Sequence, residues 1–422
     1  MQEFVKAQLP QGSVIGVREN EVCCFSAIPF ARPPVSHLRF SPPEPANWSG
    51  TLVATELGTI APQAPSRLRE AMGDFQATQS EDCLNLSVYT PALDSARRPV
   101  VVWLHGGAWQ SGAAAIDWYS GRQLAKRGDI VVVSPNYRLA ALGWLAVKGE
   151  TANVGLLDNE LALQWVQDNI EAFGGDPDRV TVMGQSAGAM SIACLLMREP
   201  QFKRAIMQSA PLGRGCRSIE SADEISSLIL QAAGADSLSQ ARGLPVRALL
   251  EAQKAPKVQE WLQKEGAQRS LFCPVADGDV LPLSASTELA AAAGKVDVLV
   301  GSTVDEMAAF FADGISQHSH EVGKRIYGEP SRKWARNASE RGRKAWAYQF
   351  GYRPNDRFGA CHCIELPFLF DTVTAFKNAP MLEGLQEQDR QRLTKQMQQA
   401  WISFIREGDP GWPSWPHEQL FL

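Results

Sequence analysis

Five short apolar runs recur along the chain, each closed by small, polar or turn-forming residues: "RPVVVWLHGG" (98–107), "GDIVVVSPNYR" (128–138), "RVTVMG" (179–184), "RAIMQSA" (204–210) and "KVDVLVGST" (295–303). They are continuous rather than alternating, so a strand built from any of them is buried on both faces. Segments with apolar residues at helical spacing lie between them, among them "ELALQWVQDNIEAF" and "KQMQQAWISFIREG". Strands alternating with helices require a mostly parallel central sheet with helices on both faces, an α/β fold. Such sheets gather reactive groups at the carboxyl ends of their strands. Each punctuated strand end is therefore a candidate site position.

The 422 residues contain no internal repeat and no low-complexity linker. One domain is expected over 1–422, with excursions covering the site. The Pro-rich stretch 28–48 is interleaved with Phe30, Leu38, Phe40 and Trp48, and reads as a loop packed on a core. A net charge of -5 argues against a nucleic-acid partner. The basic run "RKWARNASERGRKAW" (332–346) reads as a solvated helix face. No apolar stretch reaches the roughly 18 residues of a membrane span, and the N-terminus lacks the apolar core of a secretory signal. A cytoplasmic chain is expected, monomeric or weakly dimeric.

Eight cysteines in a chain of this length, with no Cys-x-x-Cys, do not read as a disulfide scaffold. "CHC" at 361–363 has only His318 and His320 as a further pair of neighbouring histidines, so neither a metal nor an organic cofactor is expected.

The stretch "VTVMGQSAGAMS" (180–191) places Ser186 between Gly184 and Gly188, where a strand gives way to a helix. In such an elbow the glycines leave room for nearby backbone, and the hydroxyl points outward at a helix N-terminus. Serine needs a base, and the base an orienting acid. In this fold the order is nucleophile, acid, histidine. That order excludes His37 and His105, which precede Ser186, and leaves His318, His320, His362 and His417. His362 lies in "GACHCIELPFLF", between a turn and an apolar segment. For the acid, "VGSTVDEMAAFF" offers Asp305 or Glu306 just after a strand, and order and position allow either. Oxyanion donors are expected from the N–H of Ala187 and from the loop "LHGGAWQSG" (104–112).

With these segments in place the chain resembles the type-B carboxylesterases, the family of para-nitrobenzyl esterases, carboxylesterases and cholinesterases. The resemblance rests on "IPFARPPVSHLRFSPPEPANW", "SEDCLNLSVY", "VVWLHGGAWQSG", the long segment ending "DRVTVMGQSAGAMS", "AIMQSA", "PVADGDVLP", "VGSTVDEMAAF", "CHCIELPFLF" and "WISFIREGDPGWPSWP", in the family's order. It implies an α/β-hydrolase fold and hydrolysis of small-molecule carboxylic esters. It implies Ser186 as nucleophile, His362 as base and Glu306, rather than Asp305, as acid. Oxyanion donors map to Gly107, Ala108 and Ala187, with Gly106 completing the loop.

Two positions depart from the usual pattern at the site: Gln185 stands where the family usually carries Glu, and Ala108 where Gly is common. Ala61 stands where many secreted relatives carry a cysteine that pairs with the position of Cys83. Gln185 and Ser209 are expected just behind the reacting groups, and Trp109, Phe272, Phe310 and Phe311 are candidates to line the substrate pocket. The sequence alone leaves amide or carbamate hydrolysis open, and non-catalytic adhesion relatives supply a rival reading.

Overall fold

The computed structural model describes residues 3–266 and 270–422. In chain order its strands are β1 (Glu3–Leu9), β2 (Gly12–Glu19), β3 (Val22–Pro29), β4 (Thr51–Val53), β5 (Asn85–Thr90), β6 (Arg98–Leu104), β7 (Val131–Pro135), β8 (Gly175–Gln185), β9 (Arg204–Gln208), β10 (Arg217–Ser218), β11 (Val275–Ala276), β12 (Asp297–Thr303), β13 (Ala345–Phe350) and β14 (Glu418–Phe421). The main sheet runs β1-β2-β3-β5-β7-β6-β8-β9-β12-β13-β14, with β4 beside β2, while β10 and β11 pair separately.

From β7 to β14 every neighbour is parallel. Along β1-β2-β3-β5-β7 every neighbour is antiparallel, while β4 joins β2 in parallel. This is the mostly parallel, helix-covered sheet of an α/β-hydrolase fold. The continuous apolar runs have the consequence expected of them. Val100, Val102 and Leu104 of β6 enter one core, whereas Val101 and Trp103 enter the opposite one. Val180 and Val182 divide from Met183 on β8 in the same way. The helices Val154–Asn169 and Ala187–Leu195 cover the first core, and Glu387–Glu407 covers the second.

Among the antiparallel N-terminal strands, β3 divides Cys23 and Phe25 from Val22 and Cys24 in the same way, whereas β1 is largely exposed. β2 and β3 are joined by Asn20 and Glu21, both at positive φ (50° and 70°), a hairpin turn that carries no glycine to signal it. β13 lies at the tail of the basic run, and residues 332–340 lie on the helix Glu329–Glu340, which buries Trp334, Ala335 and Ala338 and turns Lys333 and Arg336 to solvent. His318 and His320 sit on a helix, Gln317–Gly323, rather than in a turn. Among the described residues no helix is long and apolar enough to cross a membrane. None of the eight cysteines is in a disulfide, Cys83 among them.

A buried ion pair fixes the strand ends to the helices. Arg138, just past β7, donates to Asp158 on Val154–Asn169 through Nη2 at 2.7 Å and Nε at 2.9 Å, and both side chains are enclosed.

Candidate active site

Four parallel strands end at the same edge of the sheet, and each delivers one part of the site. β8 ends at Gln185 and turns at Ser186, which has φ 55° and ψ -119°, outside the regions comfortable for a residue with a side chain. The helix Ala187–Leu195 starts on the next residue. A Cβ on Gly188 would lie 2.0 Å from the Leu104 carbonyl oxygen, and one on Gly184 would lie 2.7 Å from the carbonyl carbon of Gly188. The glycines thus let the elbow press against the end of β6. The Ser186 N–H donates to the Gln208 carbonyl at 2.8 Å, pinning the turn to β9.

β6 runs into His105-Gly106-Gly107-Ala108. Gly107 has φ 119°, and a Cβ there would lie 1.8 Å from the Ser111 carbonyl oxygen. Ala108 and Trp109 follow at φ 55° and 59°. Among the described residues, the amides of Gly107, Ala108 and Ala187 have no backbone acceptor, and the three residues line the cavity that also exposes Ser186 and His362. Gly106 lies behind this loop, where a Cβ would meet Gln185 Oε1 at 2.4 Å. The His105 ring faces away: its Nδ1 donates to the Gly106 carbonyl at 2.7 Å and it stacks on Tyr137 at 4.3 Å. Burial pulls His105 down to a pKa of about 4, so it stays neutral.

β12 leads into Asp305 and Glu306, and β13 leads, by a loop, to His362. The two acids separate completely. Glu306 Oε2 makes a short hydrogen bond with His362 Nδ1, and Glu306 Oε1 accepts from the Thr303 amide at 2.9 Å. Asp305 instead grips Arg353 by two bonds, 2.6 and 2.8 Å, and accepts from the Ala360 amide at 2.9 Å. It ties down the loop that carries His362 and leaves the imidazole to its neighbour. The ring of His362 is wedged between Phe310 and Tyr327, at 5.4 and 5.1 Å.

Gln185 enters from the floor. Its Nε2 lies 3.1 Å from Nε2 of His362. Deeper still, Gln208 links Trp401 to Glu365, a wholly buried carboxyl. Burial, then the charge of Glu306, raises Glu365 to a pKa of about 8, so it is neutral below that pH.

Of the expected pocket residues, Trp109 and Phe310 line the cavity. Phe272 and Phe311 do not. Phe272 belongs to the main core, and Phe311 packs on the small cluster of Met307, Val322, Ile326 and Tyr327. An aromatic in a sequence signals core at least as strongly as pocket, and here the core claimed both. Ser209 lies behind the site: its amide donates to the Gly301 carbonyl at 2.8 Å, joining β9 to β12, and its hydroxyl is enclosed. Arg67, Arg214, Tyr327 and Cys363 also line the cavity. Sequence reading did not single them out as pocket residues: Arg67, Arg214 and Tyr327 come from separate excursions with no local motif, and Cys363 is overshadowed by its neighbour His362. Among the described residues no group of three His, Cys, Asp or Glu side chains could hold a metal.

The model of the carboxylesterase family matches the chain over residues 3–326 and 315–419. The chain is 38% identical to a Rhodococcus erythropolis protein described as a probable N-octanoylanthranilate hydrolase, with 97% of this chain and 95% of that one aligned. It is 35% identical to the para-nitrobenzyl esterase of Bacillus subtilis strain 168, over 97% and 92%. A solved structure of a thermophilic para-nitrobenzyl esterase superposes with a TM-score of 0.88 at 32% identity, covering 98% of this chain and 94% of that one.

Proposed function

The chain belongs to the carboxylesterase family and is a serine ester hydrolase, and from that premise we propose that Ser186, His362 and Glu306 carry the reaction. The contact between Glu306 and His362 Nδ1, beside the cavity that Ser186 shares, supports this reading best. With Nδ1 engaged, Nε2 is the nitrogen left to accept a proton.

Ser186 Oγ attacks the ester carbonyl carbon as its proton passes to His362 Nε2. Glu306 holds the ring and stabilises the imidazolium. The negative charge on the former carbonyl oxygen is received by the amides of Gly107, Ala108 and Ala187, each contributing about 10²–10³ in rate. The tetrahedral species collapses, the alkoxide takes the proton from Nε2 and leaves as alcohol, and the acyl group remains on Ser186. Water then enters, gives its proton to His362 and attacks the acyl carbon. Ser186 regains the proton and the acid departs. In the resting site Nε2 faces Gln185, so the first step requires His362 to exchange that neighbour for the Ser186 hydroxyl.

A burst of para-nitrophenol from para-nitrophenyl butyrate, abolished in Ser186→Ala, is the expected result. Turnover that survives the substitution would remove Ser186 from the role, and no turnover in the unaltered protein would leave a non-catalytic binding protein. The same groups can cleave an amide, a second reading favoured by the relative named for an N-acyl substrate. Release of para-nitroaniline from para-nitrobutyranilide tests it. The reading takes 1–422 as one domain, acting as a cytoplasmic monomer on a small ester. The sedimentation coefficient of the purified chain checks the oligomeric part.

A further inference from the structure

The charges around the cavity are one-sided. The chain as a whole carries a net charge of -5. Yet the only charged side chains that line the cavity among the described residues, His362 aside, are Arg67 and Arg214, and no Asp or Glu lines it. Gln185, beside the nucleophile, is neutral.

Neither guanidinium is spoken for. Among the described residues no carboxylate forms an ion pair with Arg67 or Arg214, whereas buried Arg39, Arg98 and Arg138 each have one and buried Arg217 is held by the Ser270 and Leu271 carbonyls. The Nε of Arg214 is enclosed and has no hydrogen-bond partner. Arg67 reaches in from the cavity mouth, with its Cζ 6.0 Å from the centre of the Phe310 ring. Loss of water around its head group, and then the charge of Arg214, pull Arg67 below the usual arginine pKa. Arg67 is exposed at the mouth and Arg214 half-buried, and two cations on one cavity without a counter-charge favour an anion between them.

The position of the pair identifies which half of the substrate carries that anion. The leaving oxygen must lie beside His362 Nε2, which returns its proton. Phe310 and Tyr327 flank the His362 ring, Arg67 stands over Phe310, and both arginines act on the Tyr327 hydroxyl. The cations are therefore on the His362 side of the cavity, the flank from which the leaving group takes its proton.

We propose that the preferred substrates are acyl esters whose leaving half carries a carboxylate, bound through Arg67 and Arg214. This inference rests on the esterase reading of the same site and adds its substrate class.

The test compares 4-(butyryloxy)benzoate with its methyl ester, each rate divided by spontaneous hydrolysis, with para-nitrophenyl butyrate as reference. The anionic ester should show a kcat/KM about ten- to a hundredfold above the neutral one at low ionic strength. The advantage should shrink as salt is added. The ratio should fall about tenfold in Arg67→Gln and in Arg214→Gln, and persist in Arg67→Lys. A ratio near one in the unaltered protein, or one untouched by both glutamine substitutions, overturns the inference while leaving the esterase reading intact. Failure to cleave para-nitrophenyl butyrate would instead sink the esterase reading. Calorimetric binding of 4-hydroxybenzoate against its methyl ester then decides the charge inference without turnover. Tighter binding of the acid, lost in Arg214→Gln, supports it, and equal binding overturns it.

Discussion

Nε2 of Gln185 stands 3.1 Å from Nε2 of His362, while the opposite nitrogen of that ring is held by Glu306. Gln185 therefore occupies the nitrogen that must take the Ser186 proton, and the first step has to displace it. Gln185→Ala removes that neighbour and should change kcat/KM for para-nitrophenyl butyrate by about tenfold. A value equal to that of the unaltered protein would detach Gln185 from the proton transfer.

Asp305 and Glu306 are adjacent in sequence and differ in employment. Glu306→Gln should lower kcat by about 10³–10⁴ with a small change in KM, as expected when the orienting acid of a triad is neutralised. Asp305→Asn loosens the Arg353 and Ala360 attachments of the His362 loop and should cost about tenfold, because misplacement rather than lost chemistry is the damage. Steady-state kinetics of the two variants should therefore separate by at least two orders of magnitude.

The glycines of the elbow and of the oxyanion loop are constrained by space. Gly188→Ala would force a methyl carbon to 2.0 Å from the Leu104 oxygen. Overpacking of this kind costs about 1–3 kcal/mol, read as a lowered melting temperature, and the strand-end shift should remove most activity with it. Gly107→Ala meets the Ser111 oxygen at 1.8 Å with φ at 119°, and should be at least as harmful.

Glu365 makes stability depend on pH. Its carboxyl is raised from 4.5 to about 8 in the folded protein, first by burial and then by Glu306. Between those values the folded chain keeps a proton that the unfolded chain has released. Its contribution is thus fully present below about pH 4.5 and is lost as pH rises towards 8. Glu365→Gln should melt above the unaltered protein at pH 8.5 and close to it at pH 4.5. Equal melting temperatures at both values would show that Glu365 is not held neutral.

The parallel sheet and the elbow at Ser186 were legible in the sequence because each depends on local signals: buried apolar runs and glycine punctuation. The choice between Asp305 and Glu306 was not local. It turns on Arg353, 48 residues away, which reaches Asp305 only once β13 lies beside β12. The resemblance supplied the same answer from family pattern, without the physical reason. Phe272 was misread because an apolar ring looks alike in a core and in a pocket wall, and Arg67 and Arg214 were passed over because nothing near either one in the chain hints that the two will meet. β2 and β3 stayed hidden behind an Asn-Glu turn that sacrifices the usual glycine.

The floor of the site comes from four strand ends, two of them packed so closely at Gly107, Gly184 and Gly188 that no side chain fits, whereas Arg67 and Arg214 of its wall come from separate excursions. Those two arginines share almost no covalent neighbourhood with Ser186, Glu306 or His362. A library confined to the excursions can therefore explore new specificities while the reaction centre is inherited whole, and a library that touches the floor chiefly samples inactive proteins.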